Sequence, residues 1–288
     1  MSTEHGPGSR AASRRVTGTL LIGTDGSERS ADAIALGALL APVLDAEPVL
    51  LYAQPDGDRD SLLGDGEYEQ LVCGAIGLMV VADRSPAAAL QTVAERDTVA
   101  AIVLGSSHRA PLGRVMPGGV AQRLLAGAPC PVVVAPAGFA ARQPLGLGSI
   151  GCGFDGSAEA SKALCTAARL ARANTGPLVV IAVHERLAFG QLSVLGEGAS
   201  TTVNRRLRAE LAERLRRAVD ETGLGADATA RVREGDAAST LAAESADLGL
   251  LVVGSRGWDP RGSVLLGSVA TRLLQMASCP VMVVPRNG

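Results

Sequence analysis

The chain contains two copies of one pattern, and this duplication limits the folds open to it more than any other sequence feature. Each copy has an apolar run, a loop that starts with glycine, a later glycine that opens an Ala/Leu-rich stretch, and a Cys-Pro pair. The offset at the loop, 254 − 105, is 149 residues, and it is unchanged at the other two landmarks. The three landmark pairs are Gly105 and Gly254, Gly118 and Gly267, and Cys130 and Cys279. Such a constant offset indicates an internal duplication.

The first copy is shorter than the second near its beginning. An Asp-Gly-Ser motif occurs at Asp25 and again at Asp155, with an offset of only 155 − 25 = 130 residues. The first copy therefore lacks 149 − 130 = 19 residues between this motif and the glycine loop. We place the shortening between positions 56 and 72, because the second copy has a long Arg/Glu/Leu-rich predicted helix at the corresponding place.

Short apolar runs alternate with amphipathic stretches in both copies, which predicts βα units and a parallel sheet. The expected strands are 19–24, 49–52, 78–81, 101–104 and 132–135 in the first copy, and 150–154, 178–183, 229–232, 248–253 and 281–284 in the second. The expected helices of the second copy are 158–173, 202–221, 240–245 and 269–276. We therefore expect domains at 17–137 and 149–286, a flexible tail at 1–16 and a Gly- and Pro-containing linker at 138–148.

Composition and charge favour two globular units without a membrane or nucleic-acid surface. A length of 288 residues suits two domains of ordinary size. No apolar run approaches the ~18 residues that a spanning helix needs, and the first sixteen residues lack the apolar core of a signal peptide. The net charge of −2 and the scarcity of aromatic residues argue against DNA or RNA binding. We expect a cytoplasmic protein.

The second copy carries the clearest candidate for a binding loop. Gly254-Ser255-Arg256-Gly257 follows an apolar run, and Gly267-Ser268 opens a predicted helix after nine intervening residues. Glycine lets the backbone take positive φ and approach a ligand without a Cβ in the way, and the free N–H groups at a helix start favour an anion. The pattern therefore predicts a phosphate-binding site.

Asp155 is the second candidate. On its own, Asp-Gly-Ser indicates a tight turn in which Ser157 caps the next helix. With the glycine loop predicted on a neighbouring strand, however, the carboxylate would lie in the crevice at the strand C-termini, where open α/β sheets bind ligands. The corresponding first-copy residues Asp25, Gly105 and Gly118 are weaker candidates, because His108 occupies the place of the second loop glycine.

The sequence offers little catalytic or metal-binding machinery. Lys162 is the only lysine, so a G-K-[ST] phosphate loop is excluded. Outside the tail the histidines are His108 and His184, one in each copy, and the five cysteines lack C-x-x-C spacing, so no zinc site and no Ser-His-Asp set are indicated. A G-x-G-x-x-G match at 146–151 precedes a strand instead of following one, which excludes a dinucleotide fingerprint. We expect no catalytic residues and, at most, slow ATP hydrolysis.

These motifs resemble the universal stress protein family, whose hallmark is Gly-x-x-Gly, nine residues, and then Gly-Ser or Gly-Thr. The second copy matches this pattern in full, whereas the first reads Gly105-Ser106-Ser107-His108 and then Gly118-Gly119. The resemblance covers nearly everything except the N-terminal tail. It implies an α/β fold with two tandem, doubly wound, parallel five-stranded sheets of the adenine nucleotide alpha hydrolase-like type.

The resemblance also implies an ATP site in the second copy. In nucleotide-binding members the glycine pattern holds the ribose and phosphates, and an Asp at the end of the first strand meets the adenine, as Asp155 would here. The expected contacts are Asp155, Val183, Gly254, Ser255, Arg256, Gly257, Gly267, Ser268 and Val269. We expect any Mg²⁺ to be carried on the phosphates, because no cluster of carboxylates lies near the loop in the sequence.

Family similarity further implies how the copies associate and what the protein does. The final strands, 132–135 and 281–284, are expected to pair across a pseudo-twofold axis, so that one chain mimics the family's homodimer. The expected function is nucleotide-dependent regulation or stress response through a protein partner that the sequence does not identify. The alternatives are a scaffold that works through dimer surfaces without nucleotide, and a slow ATP hydrolase. A homodimer of the whole chain is also left open.

Overall fold

A computed structural model describes residues 18–27, 30–54, 77–185, 197–255 and 266–286. Within these residues each copy contributes five strands. The first-copy strands are β1 (Gly18–Thr24), β2 (Ala46–Gln54), β3 (Gly77–Ala82), β4 (Val99–Leu104) and β5 (Val132–Val134). The second-copy strands are β6 (Ile150–Gly153), β7 (Leu178–His184), β8 (Ala228–Glu234), β9 (Leu250–Gly254) and β10 (Val281–Val284).

Helices separate the strands along the chain. The α-helices are α1 (Ser30–Leu44), α2 (Pro86–Arg96), α3 (Gly119–Leu125), α4 (Ala158–Asn174), α5 (Glu197–Glu221), α6 (Ala237–Glu244) and α7 (Ser268–Leu273). Short 3₁₀ helices lie at Ala140–Arg142, Gly225–Asp227 and Ser245–Asp247. The ten predicted strands are confirmed, with ends that differ by a few residues. The proposed shortening between positions 56 and 72 lies outside the described residues.

The strands form one continuous sheet in the order β3-β2-β1-β4-β5-β10-β9-β6-β7-β8. Neighbouring strands are parallel within each copy, and β5 pairs antiparallel with β10. In that junction Val134 lies opposite Val281 and Val132 lies opposite Val283. The predicted pairing of the final strands is confirmed. The α/β fold is also confirmed, but the two five-stranded sheets are merged into one mixed, mostly parallel sheet of ten strands. The β5–β10 pairing joins them, because it satisfies backbone groups that each edge would otherwise leave open.

Helices cover both faces of the sheet and divide the core into two layers. The buried residues of α1, α4 and α5 pack on one face, and those of α2, α3, α6 and α7 pack on the other. Strand β1 illustrates the alternation, since Leu20 and Ile22 belong to the first layer and Leu21 to the second. Burial on both faces is typical of parallel strands in doubly wound folds. None of the described helices has the length and apolar character of a membrane span.

Candidate functional site

A pocket of about 180 Å³ lies at the C-terminal ends of the second-copy strands. Strand β6 lies between β7 and β9 in the sheet, and the ends of these three strands form the floor of the pocket. The first turns of α4, α6 and α7 surround it. The chain passes from β6 to β7 on one side, and from β8 it crosses to β9 on the other side of β6. This is therefore the topological switch point at which open α/β sheets form ligand sites.

Six of the nine predicted contact residues meet in this pocket. They are Asp155, Val183, Gly254, Gly267, Ser268 and Val269. Ser255 does not line it, because this residue is buried on the other side of the strand end, in a separate cavity of about 160 Å³ between the copies. Its backbone N–H donates to the carbonyl of Val284 at 2.8 Å. Arg256 and Gly257 lie outside the described residues.

Gly254 is required by helix packing. A Cβ at this position would lie 2.8 Å from the backbone carbonyl carbon and oxygen of Glu159 in α4. Its φ is not in the positive region, so conformational freedom does not explain the residue. Gly254 was predicted as a residue that faces the ligand, and the structure adds a steric requirement for glycine. Only glycine lets the end of β9 pass this close to α4.

Gly267 caps helix α7 without supplying a side-chain hydrogen bond. Its backbone is extended, with φ −61° and ψ 152°. By contrast, Ser157 caps α4 and Asp236 caps α6, each through its own side chain. No cap side chain competes for the first N–H groups of α7, which lie beside the pocket together with the hydroxyl-bearing Ser268.

Asp155 combines the two roles that the sequence suggested for its motif. Its Oδ1 accepts a hydrogen bond from the Ser157 N–H at 2.9 Å, and Gly156 has a φ of 81°, so the motif is a tight turn. The Ser157 hydroxyl oxygen then accepts from the Ala160 N–H at 3.2 Å, which caps α4. Asp155 lines the pocket at the same time. The turn holds the carboxylate at the pocket rim.

The inner wall of the pocket is apolar and was only partly predicted. Phe154, Ile181, Leu241 and Val253 are buried and line it. Phe154 ends a predicted strand beside Asp155, and Ile181 lies two residues before Val183 in another, so both could have been inferred from the predicted contacts. Leu241 comes from α6, which nothing in the glycine pattern connects to the site. A wall of this kind suits a flat apolar ring.

An ion-pair network beside the pocket was missed by the sequence analysis. Arg272 in α7 donates two hydrogen bonds to Asp236, and Glu185 after β7 accepts from the Ala237 N–H at 3.1 Å. The bonds from Arg272 and then from Ser239 hold the pKa of Asp236 well below its usual range. Ala237 itself lines the pocket. The network therefore fixes α6 and α7 relative to each other at the mouth of the site.

The first copy has a pocket at the equivalent strand ends, with a volume of about 410 Å³. The three weaker candidates, Asp25, Gly105 and Gly118, all line it, and so does His108. Partial burial alone would raise the pKa of Asp25, but hydrogen bonds from Ser27 and Ser30 outweigh that effect and hold the pKa below its usual value. Asp25 is therefore a preorganised anion at the rim of this pocket.

Comparison with known sequences identifies relatives of both copies. The model of the universal stress protein family matches residues 78–136 and 147–285, more than half of the chain. A universal stress protein of Mycobacterium tuberculosis is 29% identical over 289 residues, covering 92% of this chain and 96% of that protein. Another, from Mycolicibacterium smegmatis, is 33% identical over 190 residues, covering 64% of this chain and 60% of that protein.

Solved structures share the architecture over nearly the whole chain. A protein of unknown function from Pseudomonas aeruginosa matches with a TM-score of 0.68 and 18% identity, covering 93% of this chain and 92% of its own. A universal stress protein from Archaeoglobus fulgidus matches with a TM-score of 0.62 and 17% identity, covering 94% and 98%. At these identities the likeness concerns the fold of the two joined copies.

Proposed function

The chain belongs to the universal stress protein family, and on this basis we propose that its second copy binds ATP as the input of a cytoplasmic regulatory or stress-response protein. The observation that carries the proposal is the meeting of Asp155, Gly254, Gly267 and Ser268 in one pocket at a topological switch point. These residues come from three separate parts of the chain.

The pocket offers a different environment for each part of the nucleotide. Its apolar wall would receive the adenine, and Asp155 at the rim would accept hydrogen bonds from ligand N–H or O–H groups. The N-terminus of α7, with Gly267 and Ser268, would receive phosphate through backbone N–H groups and a hydroxyl. The cavity of about 180 Å³ is smaller than the ~300–1,000 Å³ of typical small-molecule pockets. We therefore place the base inside and the phosphates at the mouth.

Binding is better supported than hydrolysis by the described part of the pocket. Its carboxylates are Asp155 and Glu159, and Glu159 is paired with Arg286 at 3.4 Å. No histidine is among its described lining residues. A general base must lie within hydrogen-bond reach of the water that it activates. Here Asp155 Oδ1 accepts from the Ser157 N–H, so both carboxylates already have partners in the protein. ATP is thus proposed as a bound signal.

The direct test is to identify what the purified protein carries and how much it binds. Mass spectrometry of small molecules released from the protein should find an adenine nucleotide. Isothermal titration calorimetry of the nucleotide-free chain with ATP should give one site per chain, since only the second copy keeps the full glycine pattern. Two equivalent ATP sites would contradict the proposed division between the copies. A chain that binds no ATP would favour the scaffold alternative.

A further inference from the structure

The first-copy pocket keeps the base-binding end of the second-copy pocket. Corresponding strands and helices supply apolar residues to both: Leu51, Leu90 and Leu104 in the first, and Ile181, Leu241 and Val253 in the second. The middle strands also match, because a Cβ on Gly23 would lie 2.6 Å from Leu104 and one on Gly153 would lie 3.1 Å from Val253. The floor of the pocket has therefore been preserved in both copies.

Asp25 provides a fixed hydrogen-bond acceptor at the rim of this first-copy pocket. Its Oδ1 accepts from the Ser27 N–H at 3.0 Å, the Ser27 hydroxyl at 2.6 Å and the Ser30 hydroxyl at 3.0 Å. Ser30 is only 5% exposed, so its hydroxyl is held in place. Three donors on one oxygen fix the orientation of the carboxylate and favour its charged form. The other oxygen, Oδ2, can accept from a ligand.

The polar groups of the loop after β4, in contrast, form hydrogen bonds with other parts of the first copy. The Ser106 hydroxyl donates to the Ala135 carbonyl at 2.6 Å and accepts from the Met116 N–H at 3.1 Å. The Ser107 N–H donates to the Met116 carbonyl at 2.7 Å, and the Ser107 hydroxyl oxygen accepts from the Arg109 N–H at 3.3 Å. These groups close the loop on itself. The Ser107 N–H is therefore unavailable to a phosphate chain.

The first copy also lacks polar groups with which the second copy is proposed to hold phosphate. The described linings of both pockets contain carboxylates and no Lys or Arg, so the difference between the copies lies in the glycine pattern itself. At the 149-residue offset, Ser107, His108 and Gly119 stand where the second copy has Arg256, Gly257 and Ser268. The first copy therefore has neither the arginine nor the helix-start hydroxyl at these positions, and a triphosphate would meet the carboxylate of Asp25 without them.

We propose that the first-copy pocket binds an uncharged, adenosine-like nucleoside and discriminates against ATP. The volume of about 410 Å³ falls within the range of small-molecule pockets. The apolar floor would hold the heterocycle, and Asp25 would accept hydrogen bonds from N–H or O–H groups of the ligand. This inference rests on the proposed nucleotide-binding function for the choice of adenine. The two copies would thus respond to different phosphorylation states of related ligands.

The test is a calorimetric titration of the full-length chain carrying Gly267→Asp, which is designed to remove phosphate binding from the second copy. Adenosine should bind with saturation in this variant, and ATP should bind at least tenfold more weakly than adenosine. Adding Asp25→Asn should weaken adenosine binding at least tenfold while keeping the Oδ1 acceptor of the turn. The matched control is Asp97→Asn, an exposed aspartate outside both pockets, which should leave adenosine binding unchanged.

Three results would overturn this inference: ATP binding as tight as adenosine binding in Gly267→Asp, no adenosine binding at millimolar concentration, or adenosine binding that Asp25→Asn leaves intact. Circular dichroism of each variant establishes that it is folded. The proposed function is tested separately, by ATP titration of the unsubstituted chain. If that chain binds adenosine through Asp25 but no ATP, the proposed function fails and the inference about the first copy stands.

Discussion

The guanidinium of Arg272 donates two hydrogen bonds to the carboxylate of Asp236, at 2.7 and 2.8 Å. Asp236 also caps α6 by accepting from the Ser239 N–H at 3.0 Å. The first copy has the same link without the charge pair, since Arg123 in α3 donates to the hydroxyl of Ser85, the cap of α2, at 3.5 Å. In both copies an arginine therefore ties the glycine-capped helix of the pocket to its neighbour.

The Asp236 carboxylate should give the protein an acid-dependent component of stability. Because its pKa is lowered in the folded state, this component is present above the unfolded pKa of ~3.9 and is lost as the pH falls below that value. Asp236→Asn keeps a good helix cap but removes the charge. We expect the variant to have a lower Tm than the parent at neutral pH and the two values to converge in acid. A difference in Tm that stays constant between pH ~7 and ~3 would contradict the assignment.

Gly267→Asp should remove ATP binding without unfolding the protein. The extended backbone at Gly267 suits Asp as a helix cap, so α7 should be retained, while the new carboxylate would repel phosphate. We expect at least a tenfold loss of affinity in a calorimetric titration. Gly118→Asp is the matched control, because its Cβ would meet only Ser107, at 3.8 Å, and it lies in the first copy. If the folded Gly267→Asp variant bound ATP as tightly as the unsubstituted chain, the proposed site would be contradicted.

Ser268→Ala should weaken ATP binding by about 1 kcal/mol, the usual value of one hydrogen bond, which corresponds to roughly fivefold. Ser268 lines the pocket at the start of α7. Thr271→Ala is the control within the same helix, because the Thr271 hydroxyl donates to the Gly267 carbonyl at 3.0 Å and does not line the pocket. Comparable losses of ATP affinity in the two variants would show that the effect comes from helix α7 itself.

Gly254→Ala should destabilise the protein by roughly 1–3 kcal/mol, because the added Cβ would overlap the α4 backbone at Glu159. Denaturant unfolding measures this change in the free energy of unfolding. The control is Gly146→Ala, where a Cβ would meet nothing within 4 Å and the stability should be unchanged or slightly higher. A Gly254→Ala variant as stable as the parent would contradict the close packing of β9 against α4.

Sequence periodicity was sufficient to predict the ten strands, because each is an apolar run bounded by turn residues. The glycine spacing likewise predicted Gly267 and Ser268 at the pocket. Ser255 shows the limit of a motif: it directly follows Gly254, the last residue of β9, yet the two residues line different cavities. Successive residues of an extended chain point to opposite sides. A glycine pattern carries no information about which face each intervening residue takes.

Other features depend on contacts between distant segments. The pairing of Asp236 with Arg272 joins two helices that are separated by strand β9, and Leu241 enters the pocket from the first of them. Neither this ion pair nor the position of Leu241 in the pocket has a local sequence signature. The fold class named two five-stranded sheets, whereas the expected pairing of the final strands merges them into one, because a repeat in sequence does not specify how its units are joined.

The covalent link between β5 and β10 through one polypeptide changes what the two copies are free to become. Identical subunits that meet at a twofold axis must carry every substitution on both sides. Here the strands on the two sides of the junction belong to one chain, and their encounter is intramolecular, so it does not depend on protein concentration. The residues of each pocket can therefore change independently while the two copies remain joined. A protein built this way can acquire two ligand preferences while the antiparallel pairing of β5 with β10 continues to join the copies.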